Sequence, residues 1–249
     1  MGKKAFLFIL FFLGLFFSFQ TANAAGVYYY ENIDIDIKIN KDSAFDVTEN
    51  QIYFLDGNFG FFYRDIELKD LDHISNIEVF DSENNRVLNP DISYKGNRLH
   101  IQWNFQRRDF EKELKSWMIK YKVHGGLGFF KDHDEIYWNA VFEDRDVSVK
   151  KASATVHLPE GIADFGTKMF VGQKGNTKQS YDYNSKTGSV SFFGYNLKPG
   201  EFLTVAVWWP KGFVEKPFLY KNQIYVLVAI ILSSLIPFLV AISFYIIWL

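Results

Sequence analysis

Cysteine is absent from the 249-residue sequence. Its absence excludes a disulfide-stabilised scaffold, a thiolate metal centre, a cysteine nucleophile and a lipid-modified N-terminal cysteine. An excess of either charge is missing too, because 27 basic and 29 acidic residues give a formal net charge of −2. Without a basic excess, the electrostatics do not favour a nucleic-acid partner. Packing must therefore hold the fold together, and 48% hydrophobic residues supply the core.

Motifs for common enzyme chemistry are also missing. The sequence contains no Gly-x-Ser-x-Gly turn for a serine nucleophile, no His-Glu-x-x-His zinc motif and no phosphate-binding loop. Residues 124–128 are similar to the oxyanion loop of esterases, but without a nucleophile they are interpreted as a flexible loop. Residues 132–135 are interpreted as a solvated acidic turn and not as a calcium loop. We therefore expect no enzyme activity, no catalytic residue, no metal and no cofactor.

The N-terminus has the parts of a secretory signal peptide. Lys3 and Lys4 precede an apolar run at residues 5–17, and a small-residue cleavage site ends at Ala24. Because the run is shorter than the roughly 20 residues that span a bilayer as a helix, we predict a signal peptide at residues 1–24. An uncleaved N-terminal anchor is the alternative.

The C-terminus carries a longer apolar run without a formal charge, at residues 224–249. As a helix it is about 39 Å long, enough to cross roughly 30 Å of hydrocarbon with some tilt. We predict a single pass through the cell membrane, with the lipid bilayer as a partner and the N-terminal domain outside the cytoplasm. Ser233 and Ser234, one turn before Pro237, are expected to bond carbonyls freed by the proline or to face another helix.

The charges that flank this run do not fit the positive-inside rule. Lys211, Lys216 and Lys221 precede it, and no lysine or arginine follows it. We expect the chain to be a fragment of a longer membrane protein, which continues with cytoplasmic residues or further spans. The alternative is a tail-anchored chain that the signal alone orients.

Between the two apolar ends, apolar and polar residues alternate with the period of a β-strand. Residues 33–39 have isoleucine at every second position. Asp34 and Asp36 share the polar face of this strand and are interpreted as solvated charges at a sheet edge. Trp117 is in phase with the apolar residues after it and is predicted to lie in the core. About ten short strands predict an all-β, antiparallel, immunoglobulin-like β-sandwich at residues 25–214.

Two stretches stand apart from this strand pattern. Residues 107–115 are rich in charge and have Phe110 and Leu114 four positions apart, so they indicate one short helix within the domain. Residues 215–223 contain Pro217 and are predicted to be a short, semi-rigid juxtamembrane linker. The β domain is therefore expected to lie close to the membrane.

Four short motifs follow one another at residues 60–66, 137–139, 197–204 and 209–212, with the sequences GFFYRDI, YWN, LKPGEFLT and WPKG. In this order, between a signal and a span, they resemble the N-terminal ectodomain of a family of predicted membrane proteins, domain of unknown function 2207. The resemblance covers nearly all of residues 33–214. It implies a signal, an outer β domain and later membrane spans with a cytoplasmic tail in bacterial and archaeal envelopes. It carries over no functional residue.

Five residues are candidates for a binding site. Arg64, beside Tyr63, either pairs with a buried carboxylate or presents its guanidinium to an anionic ligand. Trp138, Trp208 and Trp209 belong to a set of tryptophans that could stack against sugars. Because successive strand residues alternate, Trp208 and Trp209 are predicted to point to opposite faces of their sheet.

These features favour a binding or interaction domain at the cell envelope, with an envelope protein or a polysaccharide as its partner. A hydrolase of cell-wall glycan or peptide is the alternative. It requires two carboxylates within roughly 5 to 10 Å of each other in a cleft, one of them desolvated. A structural subunit of a membrane complex is the third interpretation, suggested by the serines and the proline of the apolar run.

Overall fold

Alternation of apolar and polar residues produces strands along most of the β domain. The structure, a computed structural model, describes residues 26–81, 86–172, 177–178, 181–217 and 223–248, so the predicted signal at residues 1–24 lies outside the described residues. The described residues form fourteen strands and one helix: β1 (Val27–Ile39), β2 (Phe45–Glu67), β3 (His73–Asp81), β4 (Arg86–Leu88), β5 (Asp91–Lys95), β6 (Arg98–His124), β7 (Leu127–Phe129), β8 (His133–Val141), β9 (Val149–His157), β10 (Gly166–Gly172), β11 (Thr177–Lys178), β12 (Tyr181–Asn184), β13 (Ser189–Leu197), β14 (Phe202–Pro210) and α1 (Gln223–Trp248). The all-β class is confirmed.

Two sheets form the sandwich. The larger sheet has the strand order β12-β13-β9-β1-β2-β6-β3-β4, with β5 also paired to β6, and the smaller has the order β11-β10-β14-β8-β7. Antiparallel pairing predominates, as predicted, but β1 pairs with β9 in parallel. The immunoglobulin-like layout of the strands stays a prediction.

Strand β1 lies in the middle of the larger sheet, between β2 and β9. Its isoleucines are buried as the alternation predicts. Asp34 and Asp36 are on the opposite face, but the interpretation that they lie at a sheet edge is wrong. Strand β9 supplies their partners: Ser153 Oγ donates to Asp34 at 2.6 Å, and His157 Nε2 lies 2.6 Å from a carboxylate oxygen of Asp36.

Strands β2 and β6 are far longer than the usual five or six residues and pair with each other as a ribbon. The pairing shifts register after Leu55 and again after Phe59. Such bulges bend a strand and increase its twist. The prediction of a helix at residues 107–115 is wrong, because this segment is the part of β6 that pairs with β2 at the bend. Phe110 is buried and Leu114 is exposed, so the two side chains do not share a face.

A buried ion pair holds the two halves of the ribbon together. The first half contains β2 up to Leu55, and the second contains β2 from Phe61 onward, each with the part of β6 that pairs with it. Glu49 and Arg64 are 15 positions apart on β2, which would separate them by about 50 Å in a straight strand. Instead, Arg64 Nε donates to both carboxylate oxygens of Glu49, at 3.1 and 3.0 Å. The side chains are only 3% and 1% exposed. The second half of the ribbon therefore folds back over the first.

Further hydrogen bonds satisfy the Glu49 carboxylate. Tyr121 donates its hydroxyl to Oε1 at 2.6 Å, and Gln51 Nε2 donates to Oε2 at 2.7 Å. Burial by itself lowers the pKa of Arg64, but the neighbouring Glu49 outweighs it and raises that pKa above the ordinary value. Three side chains, Arg64, Tyr121 and Gln51, therefore hold the Glu49 carboxylate inside the fold.

Aromatic rings fill the space between the two halves of the ribbon. The ring centroids of Trp103 and Trp117 on β6 are 6.2 Å apart, and those of Tyr53 and Phe62 on β2 are 4.4 Å apart. Each pair joins one residue from each half. Trp117 is fully buried, which confirms its predicted place in the core.

The smaller sheet covers the neighbouring part of the larger sheet. Trp138 on β8 packs edge-on against Phe45 of β2, with ring centroids 5.2 Å apart, and lies 6.3 Å from Tyr121 of β6. The folded-back half of the ribbon and the smaller sheet thus lie side by side in the second layer. A seam runs between them.

Helix α1 includes a stretch, Leu227–Ile247, that is long and apolar enough to cross a membrane. The hydroxyls of Ser233 and Ser234 each donate to the carbonyl oxygen three residues earlier, at 2.8 Å. Because Pro237 frees the carbonyl of Ser233 itself, the bonds that form are not the predicted ones to a freed carbonyl.

The segment after β14 is attached to the β domain. The Glu215 backbone N–H donates to the carbonyl oxygen of Lys41, in the turn between β1 and β2, at 2.8 Å. The chain therefore leaves the β domain at the end that carries Lys41, and residues 218–222 of the predicted linker lie outside the described residues.

Replacing one member of the buried pair should destabilise the fold strongly. We expect Arg64→Met to lower the free energy of unfolding by about 3–5 kcal/mol, because it leaves the Glu49 charge buried without its partner. The double variant with Glu49→Met should regain part of that loss. Lys150→Met, which breaks the surface pair with Glu31, should cost far less, because solvent screens that pair. Chemical denaturation of the full chain in detergent measures all three, and equal costs for Arg64→Met and Lys150→Met would contradict the expectation.

Candidate functional site

A cleft of about 440 Å³ opens at the seam between the folded-back ribbon and the smaller sheet. This volume lies within the range of roughly 300–1,000 Å³ that is usual for ligand pockets. One wall consists of residues 64–67 at the end of β2, with Arg98 of β6. The other consists of β7 and β8 and the loop that follows β8 at residues 142–144. Segments distant in sequence therefore form one site.

Both walls present strand edges. In the described part of the chain, residues 61–67 of β2 pair only with β6, and residues 137–141 of β8 pair only with β14. Along such an edge, backbone N–H and C=O groups of alternate residues face away from the sheet. A ligand in the seam therefore lies beside main-chain donors and acceptors that have no strand partner, and the carbonyl oxygen of Asp65 already accepts a hydrogen bond from Arg64 Nη1.

Acidic side chains outnumber basic ones in the lining. The acidic residues are Asp65, Glu67, Asp70, Glu135, Glu143 and Asp144, and the basic ones are Arg64, Lys69 and Arg98. Some of these charges are paired: Arg98 with Asp144, and Asp65 with the ring nitrogen Nδ1 of His100 at 2.5 Å. The described residues include no group of three or more histidine, aspartate or glutamate side chains that could hold a metal ion.

Glu135 differs from a surface carboxylate. It lies on the outer face of β8 with Tyr137 and Asn139, because the intervening residues are buried in the core. Partial burial raises the pKa of Glu135 above its ordinary value, and the nearby His133 acts in the opposite direction. A carboxyl group with a raised pKa keeps its proton closer to neutral pH and is a better proton donor.

The structure brings two of the predicted binding residues together at the cleft. Arg64 forms the predicted structural pair; the residue also lines the cleft, and its guanidinium carbon lies 4.3 Å from the ring centroid of Phe142. Trp138 reaches the cleft from the core side and is 7% exposed. Its indole Nε1 has no hydrogen-bond partner among the described residues. The binding roles of both residues stay predictions.

Tyr63 lies beside a smaller pocket of about 30 Å³ next to the cleft. Its side chain is 47% exposed, and its ring centroid is 5.2 Å from that of His100. Partial burial raises the pKa of Tyr63, and the nearby Asp65, Asp146 and Asp144 raise it further. Tyr63 therefore belongs to an acidic rim rather than to the main cleft.

Trp208 and Trp209 point to opposite faces, as the alternation predicts. Trp209 is 1% exposed and packs in the core, where a surface ligand does not reach it. Trp208 is on the outer face of the smaller sheet, opposite Glu135 in the strand pairing. Its indole covers Gly166 of β10 so closely that a Cβ there would be 2.1 Å from the ring. Trp208 therefore depends on a glycine for its position.

Two segments that were interpreted as loop and turn are more ordered than expected. The glycine-rich stretch is not a loose loop at Gly126, where an added Cβ would be 2.7 Å from the ring of Phe45. Within residues 132–135, Asp134 is buried and accepts a hydrogen bond from Lys211 Nζ at 2.6 Å. The solvated-turn interpretation is therefore wrong for Asp134.

The sequence reasoning missed Glu135, Tyr137 and Asn139 as cleft residues. The available signal was the alternation along residues 133–141, which places these three side chains on one face of β8. What it did not reveal is the wall opposite, because β2 reaches β8 only through the bend in the ribbon.

The family described as "Predicted membrane protein (DUF2207) N-terminal domain" matches residues 29–209. This match confirms the resemblance drawn from the four motifs. No curated protein matches the chain.

Solved structures with a similar arrangement of strands are distant in sequence. A protein from Parabacteroides distasonis described as a candidate protease is 9% identical, with a TM-score of 0.42; 72% of this chain and 40% of that one are covered. The M1 zinc metallopeptidase from Deinococcus radiodurans is 8% identical, with a TM-score of 0.39 and coverage of 72% and 42%. An aminopeptidase N family protein from Idiomarina loihiensis is 14% identical, with a TM-score of 0.38 and coverage of 70% and 29%. The chain thus spans less than half the length of these proteins, and likenesses this distant assign it no activity.

A Cβ at position 166 should displace Trp208. We expect Gly166→Ala to lower the free energy of unfolding by about 1–3 kcal/mol and to shift tryptophan fluorescence, because the indole must move away from the strand. Gly194→Ala is the matched control, since a Cβ there would be in ordinary contact with Leu197 at 3.6 Å. Indistinguishable stabilities of the two variants would contradict the observed contact.

The raised pKa of Glu135 predicts a pH-dependent difference in stability. The folded state favours the protonated carboxyl, so the stability that protonation contributes is present at acidic pH and is lost as the pH rises through the folded-state pKa. Glu135→Gln should therefore be slightly more stable than the wild type at pH 7, and its advantage should disappear as the pH falls to 4. Denaturation curves of both proteins at both pH values measure this stability difference. A difference that grows on acidification would contradict the raised pKa of Glu135.

Proposed function

We propose that this chain, which belongs to the DUF2207 family of predicted membrane proteins, is a membrane-anchored binding domain that takes its ligand in the seam cleft. The β domain is presented outside the cytoplasm by one transmembrane helix. Its partner is a component of the cell envelope. The domain acts by binding, without a catalytic residue or a cofactor.

The cleft is the observation that carries this proposal. It combines a volume suited to a ligand, two strand edges, and exposed aromatic side chains such as Tyr137 and Phe130 at 53% and 50%. Large exposed rings beside polar groups are typical of recognition sites. The bond from Glu215 to Lys41 attaches the start of the predicted linker to the domain, which supports a position of the domain close to the bilayer, within reach of an envelope component.

Single-cysteine variants test both the extracytoplasmic placement of the domain and the occupancy of the cleft, because the natural chain contains no cysteine. Asn139→Cys puts a thiol in the cleft, and Asp182→Cys puts one on exposed strand β12 at the far end of the larger sheet. A membrane-impermeant maleimide should label Asp182→Cys in intact cells. It should label Asn139→Cys more slowly in cells than in the purified, detergent-solubilised chain, because an envelope ligand covers the cleft.

Failure to label Asp182→Cys until the cells are broken would contradict the extracytoplasmic placement. Equal labelling rates of Asn139→Cys in cells and in the purified chain would contradict an occupied cleft. The ratio of the two cysteines, measured in both preparations, corrects for any general effect of detergent.

A hydrolase of cell-wall glycan or peptide is the second candidate, and the raised pKa of Glu135 favours it. A protonated carboxyl in a cleft with further carboxylates supplies a general acid. In that case the full chain should release soluble fragments from purified cell wall, Glu135→Gln should abolish the release, and Glu160→Gln, on an exposed loop, should not.

A structural subunit of a membrane complex receives less support. The hydroxyls of Ser233 and Ser234 are donated within their own helix and are therefore not free to donate to a neighbouring one.

A further inference from the structure

We infer that the seam cleft binds an extended peptide segment with lysine or arginine side chains, which adds as a strand to an exposed edge of β2 or β8. This inference rests on the proposed binding function and names the class of partner. Three features of the cleft carry it: its edges, its unpaired charges and its aromatic walls.

The edges supply the main-chain part of the recognition. Residues 64–67 and 137–139, which line the cleft, each lack a second strand partner within the described structure. A strand added to either edge forms hydrogen bonds at every second residue, independent of its side chains. A glycan has no amide main chain whose N–H and C=O groups repeat at the spacing of a β-strand, so these edges favour a peptide.

The unpaired charges supply the preference for a basic segment. Glu67, Asp70, Glu135 and Glu143 line the cleft and form no ion pair with another described residue, whereas Lys69 is the single unpaired cation in the lining. An acidic cleft attracts a cationic ligand and repels an acidic one, and this selects among peptides that the edges alone would accept.

The aromatic side chains suit the stems of such residues. Tyr137 and Phe130 are about half exposed in the lining. Long lysine and arginine side chains pack their methylene groups on apolar surface, and their charges are attracted to aromatic faces. In an extended peptide alternate side chains point to the same side, so lysine or arginine at every second position would face one wall of the cleft.

The test uses the full chain in detergent and three mixtures of synthetic octapeptides. The first has lysine or arginine at alternate positions, the second has glutamate at those positions, and the third repeats the first with N-methylated backbone amides. A fourth probe is a soluble oligomer of N-acetylglucosamine. Binding is measured by fluorescence anisotropy, and hydrogen exchange locates it on the chain.

Only the first mixture should bind, and it should slow amide exchange in residues 61–67 or 137–141. The double variant Glu67→Gln with Glu143→Gln should weaken binding by about 3- to 10-fold at low salt, because two attracting charges are lost. The matched control, Glu160→Gln with Asp182→Asn, removes two exposed carboxylates that do not line the cleft and should not change it.

Equal binding of the N-methylated mixture would overturn strand addition, and equal binding of the acidic mixture would overturn the charge preference. Binding of the glycan at the cleft without binding of any peptide would overturn this inference and leave the proposed binding function standing. If no probe binds, the peptide inference is overturned, and the cysteine labelling of position 139 decides the binding function separately.

Discussion

The buried pair of Glu49 and Arg64 sets the path of the β2–β6 ribbon. It joins two positions of one strand that would otherwise be about 50 Å apart, and so fixes the fold-back of the β2–β6 ribbon. Since a lone buried charge is costly, the bend and the pair require each other. The fold-back creates the seam, and the seam contains the cleft. Arg64 therefore belongs to both the core and the candidate site.

Local pattern was sufficient to predict the strands but not the path of the ribbon. The isoleucines of residues 33–39 predict β1 because their period of two is a property of the strand itself. Residues 107–115 were misread because their charges and the spacing of Phe110 and Leu114 fit a helix locally, whereas pairing with β2 decides their conformation. Asp34 and Asp36 were misplaced for the same reason, since an edge position depends on which strand lies alongside, and β9 is more than a hundred residues away.

The candidate site was predictable in part. Alternation placed Trp208 and Trp209 on opposite faces. Of the two alternatives for Arg64, a buried carboxylate partner or an anionic ligand, the structure shows the buried partner, Glu49. The sequence could not predict that Arg64 and Trp138 line the same cleft, because this proximity arises from the packing of the smaller sheet beside the folded ribbon. Glu135 gains its raised pKa from burial in that packing and not from a neighbour in sequence. The proposed function therefore rests on the cleft. The family match supports membrane association and names no ligand.

The distance between the two halves of β2 shows directly whether the ribbon folds back. Spin labels on Asn50→Cys and Tyr63→Cys, both exposed positions in a chain without other cysteines, report it by pulsed electron resonance. The folded-back ribbon predicts a separation below about 25 Å, because the adjacent Glu49 and Arg64 are in contact. A separation near 40 Å, as in one continuous straight strand, would contradict the fold-back and remove the cleft with it.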